Sequence, residues 1–333
     1  MSSPELPALP PFPASGAEQR PLRVTTSAAA PGDDRLTLVA SDRDGVPRGT
    51  ASLRLFPDPG RRALAELRID VEPADRRRGV GTRLLDEALA AAREDGRRSV
   101  LAGADAESPG AGFLAARGFR TVLTLLHARL ALADADPDAL ARIVADAPTG
   151  YRLTSWSGTV PDALAATFTA ARRAMDDMPT EDADLGTVVW DEERVREVAR
   201  RVEERGDLLH TVAAVDVTGG SAGSVIGFTE LVFPCDGGDG IHYGTAVLPD
   251  HRGRGLALRM KAESILHARG HAPGRAGLVT DTAAANGAMR RVNERLGYRF
   301  THTSWQFQRE LEGYGPGGSG GPGRGPGGGR TAA

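Results

Sequence analysis

Cysteine and lysine are almost missing from these 333 residues: Cys235 is the only cysteine and Lys261 the only lysine. One cysteine excludes an intrachain disulfide, and no Cys/His spacing points to a zinc site, so no metal is expected and a reducing compartment fits. No stretch approaches the roughly 18 apolar residues that would cross a membrane. Residues 1–20 also lack the basic start and apolar run of a secretory leader. A cytoplasmic protein without a membrane partner is therefore expected. The formal net charge is −3, which argues against a dedicated nucleic-acid binder. All basic residues but Lys261 are arginine, which composition alone explains as a coding bias.

What remains is an ordinary globular chain, 40% hydrophobic and 26% charged, long enough for two domains of roughly 100–200 residues each. The Pro/Ala/Ser-rich residues 1–20 and the Gly/Pro-rich residues 312–333 are too poor in apolar groups to fold. Residues 21–132 read as one domain. Thr50–Phe56 and Leu64–Val71 alternate like strands; Val80, Leu84, Ala88 and Ala91 recur at helical period; strands at Val100–Ala102 and Thr121–Leu132 follow. Residues 133–149 read as a linker with some helix. Residues 150–311 form a second domain. Two helical segments, Pro161–Met175 and Glu192–Arg205, separate its first strand from three more. A helix from Leu256, a strand, a helix from Gly287 and a last strand at Phe300–Arg309 follow.

The chain repeats itself. Residues 71–81, VEPADRRRGVG, align without gaps on 247–257, VLPDHRGRGLA, at an offset of 176. Both copies run on through a short helix into Gly-aromatic, Gly118–Phe119 and Gly297–Tyr298. A strand entering a Gly-containing turn and then a helix aims backbone N–H groups and the positive end of the helix dipole at one point, which suits a pyrophosphate. Gly79 and Gly255 permit close backbone approach. Gly81 and Ala257 keep the next position small, and Arg76, Arg77, Arg78, Arg252 and Arg254 bring positive charge. Val80, Gly253 and Leu256 complete the two turns. Neither copy has the Gly-Lys-Ser/Thr of an ATP loop, and Leu84 and Met260 replace the third glycine of a dinucleotide fingerprint.

The segment Arg-x-x-Gly-x-Gly/Ala after a strand resembles the pyrophosphate loop of the GNAT acetyltransferases. Asn286-x-x-Met289, with Asn293-Glu294-x-Leu296-Gly297-Tyr298, is similar to that fold's second cofactor-contacting segment. The second half further resembles a tandem-GNAT group common in actinobacteria, through Met175–Pro179, Gly227–Leu231 and Thr245…His251-Arg-Gly with Lys261. The resemblance covers about residues 22–132 and 150–311. It implies an α+β chain of two GNAT folds, each a mixed, mostly antiparallel sheet flanked by helices. It also implies acetyl transfer from acetyl-CoA to a small-molecule or peptide amine by direct attack in a ternary complex, by a monomer or homodimer. The turn residues and Asn286 would contact the cosubstrate. A backbone N–H near Val71 or Val247 would polarise the thioester carbonyl.

Three residues compete as general base. Glu66 and His242 stand at equivalent positions, each thirteen before its turn glycine, and Glu230 lies on the neighbouring strand among apolar residues that would raise its pKa. The tyrosine that usually protonates the leaving thiolate in this fold is replaced by Leu114 and Asn293. That departure supports an alternative, a non-catalytic acyl-CoA sensor or scaffold. Asp281-Thr282 replaces an expected Trp-Asn. Only the second half has helices between its first two strands, where the acceptor wall is expected, and chemistry is therefore expected there. The acidic run Asp176, Asp177, Glu181, Asp182 and Asp184 could attract a cationic amine.

Overall fold

The computed structural model describes residues 22–28, 34–218, 223–272 and 274–311; the sequence expectations for residues 1–20 and 312–333 lie outside them. The first half contributes β1 (Arg23–Ala28), β2 (Arg35–Ser41), β3 (Pro47–Leu55), β4 (Leu64–Val71), α1 (Val80–Glu94), β5 (Ser99–Asp105), α2 (Pro109–Ala116) and β6 (Arg120–Ala131). The short helix α3 (Pro137–Ala145) leads to β7 (Tyr151–Ser157), α4 (Asp162–Arg172), α5 (Glu192–Glu204), β8 (Leu208–Asp216), β9 (Val225–Phe233) and β10 (Gly240–Val247). Then come α6 (Leu256–His271), β11 (Gly277–Ala283), α7 (Gly287–Arg295) and β12 (Arg299–Glu310).

Helical periodicity explains α1 directly: Val80, Leu84, Leu85, Ala88, Leu89 and Ala92 are buried on one stripe against the sheet. Helix α6 is buried on more sides, because α3 packs on it opposite the sheet. Asp136 caps α3 by accepting the N–H groups of Asp138 and Ala139.

The twelve strands of the described residues form one continuous sheet, ordered β1-β2-β3-β4-β5-β12-β6-β11-β10-β9-β8-β7. The two last strands are crossed over. Among the described residues strand β6, from the first half, pairs only with β11 and β12 of the second, and β12 only with β5 and β6 of the first. The last strand of the second half, read from sequence as part of its own sheet, thus lies inside the first-half sheet. Phe307 accordingly sits in the core built by α1, β3, β4 and β5, while Leu130 and Leu132 sit in the core under α6. Deleting the Phe307 ring should cost about 3–5 kcal/mol and loosen the first half first. Faster amide exchange in β3–β5 than in β8–β10 of Phe307→Ala would check it.

The segment between α4 and α5 stitches the halves further. Asp182 N–H donates to the Val122 carbonyl at 3.0 Å and Thr187 N–H to the Gly60 carbonyl at 3.1 Å. Ala183 and Leu185 close a cluster of Phe56, Leu64, Leu101 and Val122, and Arg194 is ion-paired with Asp58.

Candidate active site

Both halves split their sheet at the same place. Parallel pairing of β4 with β5 spans Leu64–Leu67 and Ser99–Ala102, then stops. Pairing of β10 with β11 spans Gly240–His242 and Leu278–Thr280, then stops. Beyond Thr280 the backbone of β10 from Gly244 to Val247 has, among the described residues, a strand partner only in β9. The gap that opens points toward the turn.

The two turns are built alike. Gly79 and Gly255, just before α1 and α6, are left-handed at φ 85° and 73°. Two residues earlier the chain is left-handed again, at Gly253 with φ 76° and at Arg77 with φ 63°. Alternating left-handed residues curl successive N–H groups inward, the concavity that holds anions. A Cβ at Gly79 or Gly255 would meet no protein atom within 4 Å, so these glycines serve φ and open approach rather than packing. Arg77 holds the left-handed conformation without being glycine, a cost of roughly 1–2 kcal/mol.

The turn arginines are largely committed. Arg76 Nε donates to the Val71 carbonyl at 3.1 Å, and Arg252 Nε to that of Val247 at 2.9 Å. Arg78 pairs with Asp75. Arg252 pairs with Asp177 at 2.7 Å, and Arg254 donates to the Tyr151 hydroxyl at 2.6 Å. They fix the loop, and the backbone presents the N–H groups. The acidic run is used in the same way: besides Asp177, the Glu181 carboxylate accepts Thr124 N–H at 3.2 Å and that of Asp184 accepts Gly186 N–H at 3.0 Å.

The halves differ at the strand before the turn. β4 pairs with β3 in unbroken register, whereas β10 has a bulge between His242 and Gly244. One extra residue turns the following side chains to the other face. Glu66 and His242, equivalent by alignment, therefore part company. Glu66 is exposed, on the face away from α1. His242 is buried on the α6 face, with Nε2 2.6 Å from Ser264 Oγ and Nδ1 bonded to the Tyr298 hydroxyl. Burial, reinforced by Lys261, holds its pKa well below the ordinary value, and burial pushes that of Tyr298 well above its own.

Glu230 is 4% exposed and ion-paired with Arg172 of α4. That guanidinium is itself enclosed by Trp190, Phe168 and Phe228. Burial raises the carboxyl's pKa and Arg172 opposes the rise. Of the three base candidates, only His242 lines the gap between β10 and β11, buried and hydrogen-bonded through both ring nitrogens; Glu230 is held by Arg172, and Glu66 is exposed on β4 of the first half.

A cavity of about 140 Å³ fills the gap between β10 and β11. Its walls come from both faces of the sheet and both halves of the chain: Tyr243 and Gly244 at the bulge, Met178 from the segment after α4, Leu123 and Leu125 from β6. Asn286 lies on its rim and caps α7, Oδ1 accepting Met289 N–H at 3.1 Å. Leu114 is core. Asn293 is 5% exposed, donates to Thr282 Oγ1 at 3.1 Å, and leaves Oδ1 buried without a partner among the described residues.

Lys261 also lines this cavity. It is 1% exposed, and burial pulls its ammonium down to about 7, against the opposing pull of Asp281. Sequence reading gave it no role of its own. Its position between Met260 and Ala262 on α6, in a chain that uses arginine elsewhere, was the available signal.

A split parallel pair, a left-handed N–H nest at its open end and a cavity between define an acyl-CoA-binding fold. The comparisons agree. The model of the acetyltransferase (GNAT) family matches residues 8–119 and 173–298, and the chain belongs to that family. Among solved structures it is similar to a tandem GNAT protein from the clavulanic acid biosynthesis pathway, at 25% identity and TM-score 0.67, covering 85% of this chain and 84% of that one. It also shares its fold with a GCN5-related N-acetyltransferase from Sphaerobacter thermophilus, at 19% identity and TM-score 0.60, covering 82% and 80%. No match is found among the curated proteins.

Proposed function

We propose that the chain is an acetyl-CoA-dependent N-acetyltransferase and that the second-half cleft carries the reaction, with a primary amine attacking directly in a ternary complex. The observation that carries this reading is the bulged strand β10, which leads through residues 248–252 into the Gly253–Gly255 nest and frames the cavity with β11. The residues present fit the cosubstrate. The nest offers N–H groups to a pyrophosphate, the unpaired β10 edge offers backbone to an extended amide chain, and the orphaned Asn293 Oδ1 offers an acceptor beside the gap. When bound, acetyl-CoA supplies an activated acyl group. The protein's own part is to anchor it, to polarise its carbonyl from the β10 backbone near Val247, and to exclude water with Met178, Leu123 and Leu125. Helices α4 and α5, for which the first half has no room between Ala28 and Arg35, wall the acceptor side. Acceptors are small amines or peptide amines, and the work is expected in the cytoplasm.

Isothermal titration with acetyl-CoA, followed by thiol release over a panel of amines, tests the reading. Gly255→Val should reduce acetyl-CoA affinity by at least tenfold, because Val resists φ 73° and its side chain stands where phosphate approaches. Gly79→Val should leave that affinity within about twofold, while costing similar backbone strain. Equal losses in the two variants would mean that both turns are loaded. Tight binding with no thiol release from any amine would favour an acyl-CoA sensor, the reading supported by the missing tyrosine.

A further inference from the structure

Four polar residues cluster at the inner end of the cleft, where anchoring and carbonyl polarisation do not use them. His242 is hydrogen-bonded to both Ser264 and Tyr298, and the Lys261 Nζ lies 5.1 Å from the centre of the Tyr298 ring. Lys261 and His242 both line the cavity where β10 and β11 part. Among the described residues Lys261 has no carboxylate within ion-pair distance. Its titratable surroundings are Asp281 on β11, His242 and Tyr243 on β10, and Tyr298 ahead of β12.

We propose that Lys261 is the proton donor to the leaving sulfur in this cleft, filling the role that Asn293 and Leu114 cannot. The inference rests on the acetyl-transfer reading and deepens it. Lys261 enters the gap from α6, behind the two diverging strands. A thioester laid between those strands, with its pyrophosphate end on the nest, brings its sulfur to that level. As the acceptor nitrogen–carbon bond forms and the carbon–sulfur bond breaks, Lys261 in its ammonium form gives one proton to sulfur and becomes a neutral amine. The proton shed by the acylated nitrogen recharges it. One amine and one thioester become one amide and one thiol, and the lysine is unchanged.

Composition supports the same assignment. The chain places arginine at every other basic position. A guanidinium stays charged at all accessible pH and cannot give up a proton, whereas a buried lysine shifts readily and can do so near neutrality. The single lysine stands at the one place in the cleft where a cation must also be an acid. Burial has brought it to the range where both forms are populated. The Tyr298 ring faces the ammonium at 5.1 Å, and neither His242, whose pKa is held low, nor Tyr298, whose pKa is held high, takes its proton.

The single lysine also makes the test direct. Protein grown on lysine carrying carbon-13 at the ε position shows one lysine resonance, which should titrate with a midpoint near 7 in the free enzyme rather than at the ordinary value of about 10.4. Lys261→Arg keeps the charge and loses the acid; Lys261→Met removes both and suits a buried site. Both should fold, bind acetyl-CoA within a few-fold of wild type, and lose kcat by on the order of 10²-fold. In wild type kcat should fall as pH rises above the lysine's pKa, and that alkaline limb should be absent in Lys261→Arg. A resonance that titrates near 10, or a Lys261→Arg enzyme with wild-type kcat and pH profile, overturns the lysine's role while leaving the acetyltransferase reading intact. A wild type that releases no thiol with any amine fails at the earlier step and overturns both.

Discussion

Expressed apart, residues 1–132 and 133–333 should each fail to give a folded protein, and co-expression should restore one. The first piece retains β6 but none of its partners, since β6 pairs only with β11 and β12. It also loses Trp305 and Phe307 from the core under α1, and Ala183 and Leu185 from the cluster around Phe56. The second piece keeps β12 without β5 or β6, and exposes the edge of β11 along its whole length. Leu130 and Leu132 are lost from beneath α6. Losing a ladder on each side of a twelve-residue strand, together with several large buried side chains, exceeds the 5–15 kcal/mol that typically holds a domain together. The intact chain should accordingly unfold in one cooperative transition. Near-UV circular dichroism and denaturant titration of the separate pieces decide the matter. A cooperative transition from either piece alone would mean that its last strand can turn back onto its own sheet.

That crossing was not legible in the sequence, and the reason is physical. Alternation in Arg120–Ala131 and Arg299–Glu310 announces strands and says which side chains share a face; nothing in a strand's pattern names its neighbour. The turn was legible because glycine spacing, flanking arginines and a helical stripe are all local. The bulge was half legible. In Ile241-His-Tyr-Gly-Thr the alternation stumbles at a glycine inside a strand, which is a bulge signal, yet a gapless alignment conceals it and places Glu66 opposite His242. The buried companion of Glu230 was hidden for another reason. Arg172 follows Phe168 by four residues and so shares its face, but an arginine near a helix end is ordinarily a solvated charge. Only the sheet packed beneath α4 shows that it is enclosed.

Arg172→Met should therefore be among the costliest single changes in the second half, and Glu230→Gln added to it should recover much of the loss. Removing the guanidinium strands a carboxylate that is 4% exposed, a change that typically costs about 3–5 kcal/mol. The pH dependence distinguishes this from lost packing. Burial already raises the folded-state pKa of Glu230 above its ordinary value while Arg172 resists; without Arg172 it rises further. A carboxyl with a raised folded pKa binds its proton more tightly folded than unfolded. Its contribution is therefore fully present below the unfolded value and is lost as pH rises through the folded one. The gap in unfolding free energy between Arg172→Met and wild type should be small near pH 4 and widen steadily toward pH 8. In Arg172→Met/Glu230→Gln, which has no charge left to bury, the gap should not widen and should narrow modestly as wild type loses its own smaller Glu230 contribution. Chemical denaturation at several pH values measures both curves. A gap that is equally large at pH 4 and pH 8 would assign the loss to the packing of Arg172 among Trp190, Phe168 and Phe228, and would leave Glu230 indifferent to its partner. A widening gap means that α4 is held to β9 through this ion pair. Glu230 would then act in the cleft by fixing the acceptor wall in place, since a carboxylate bound to a guanidinium is a poor acceptor for an amine's proton.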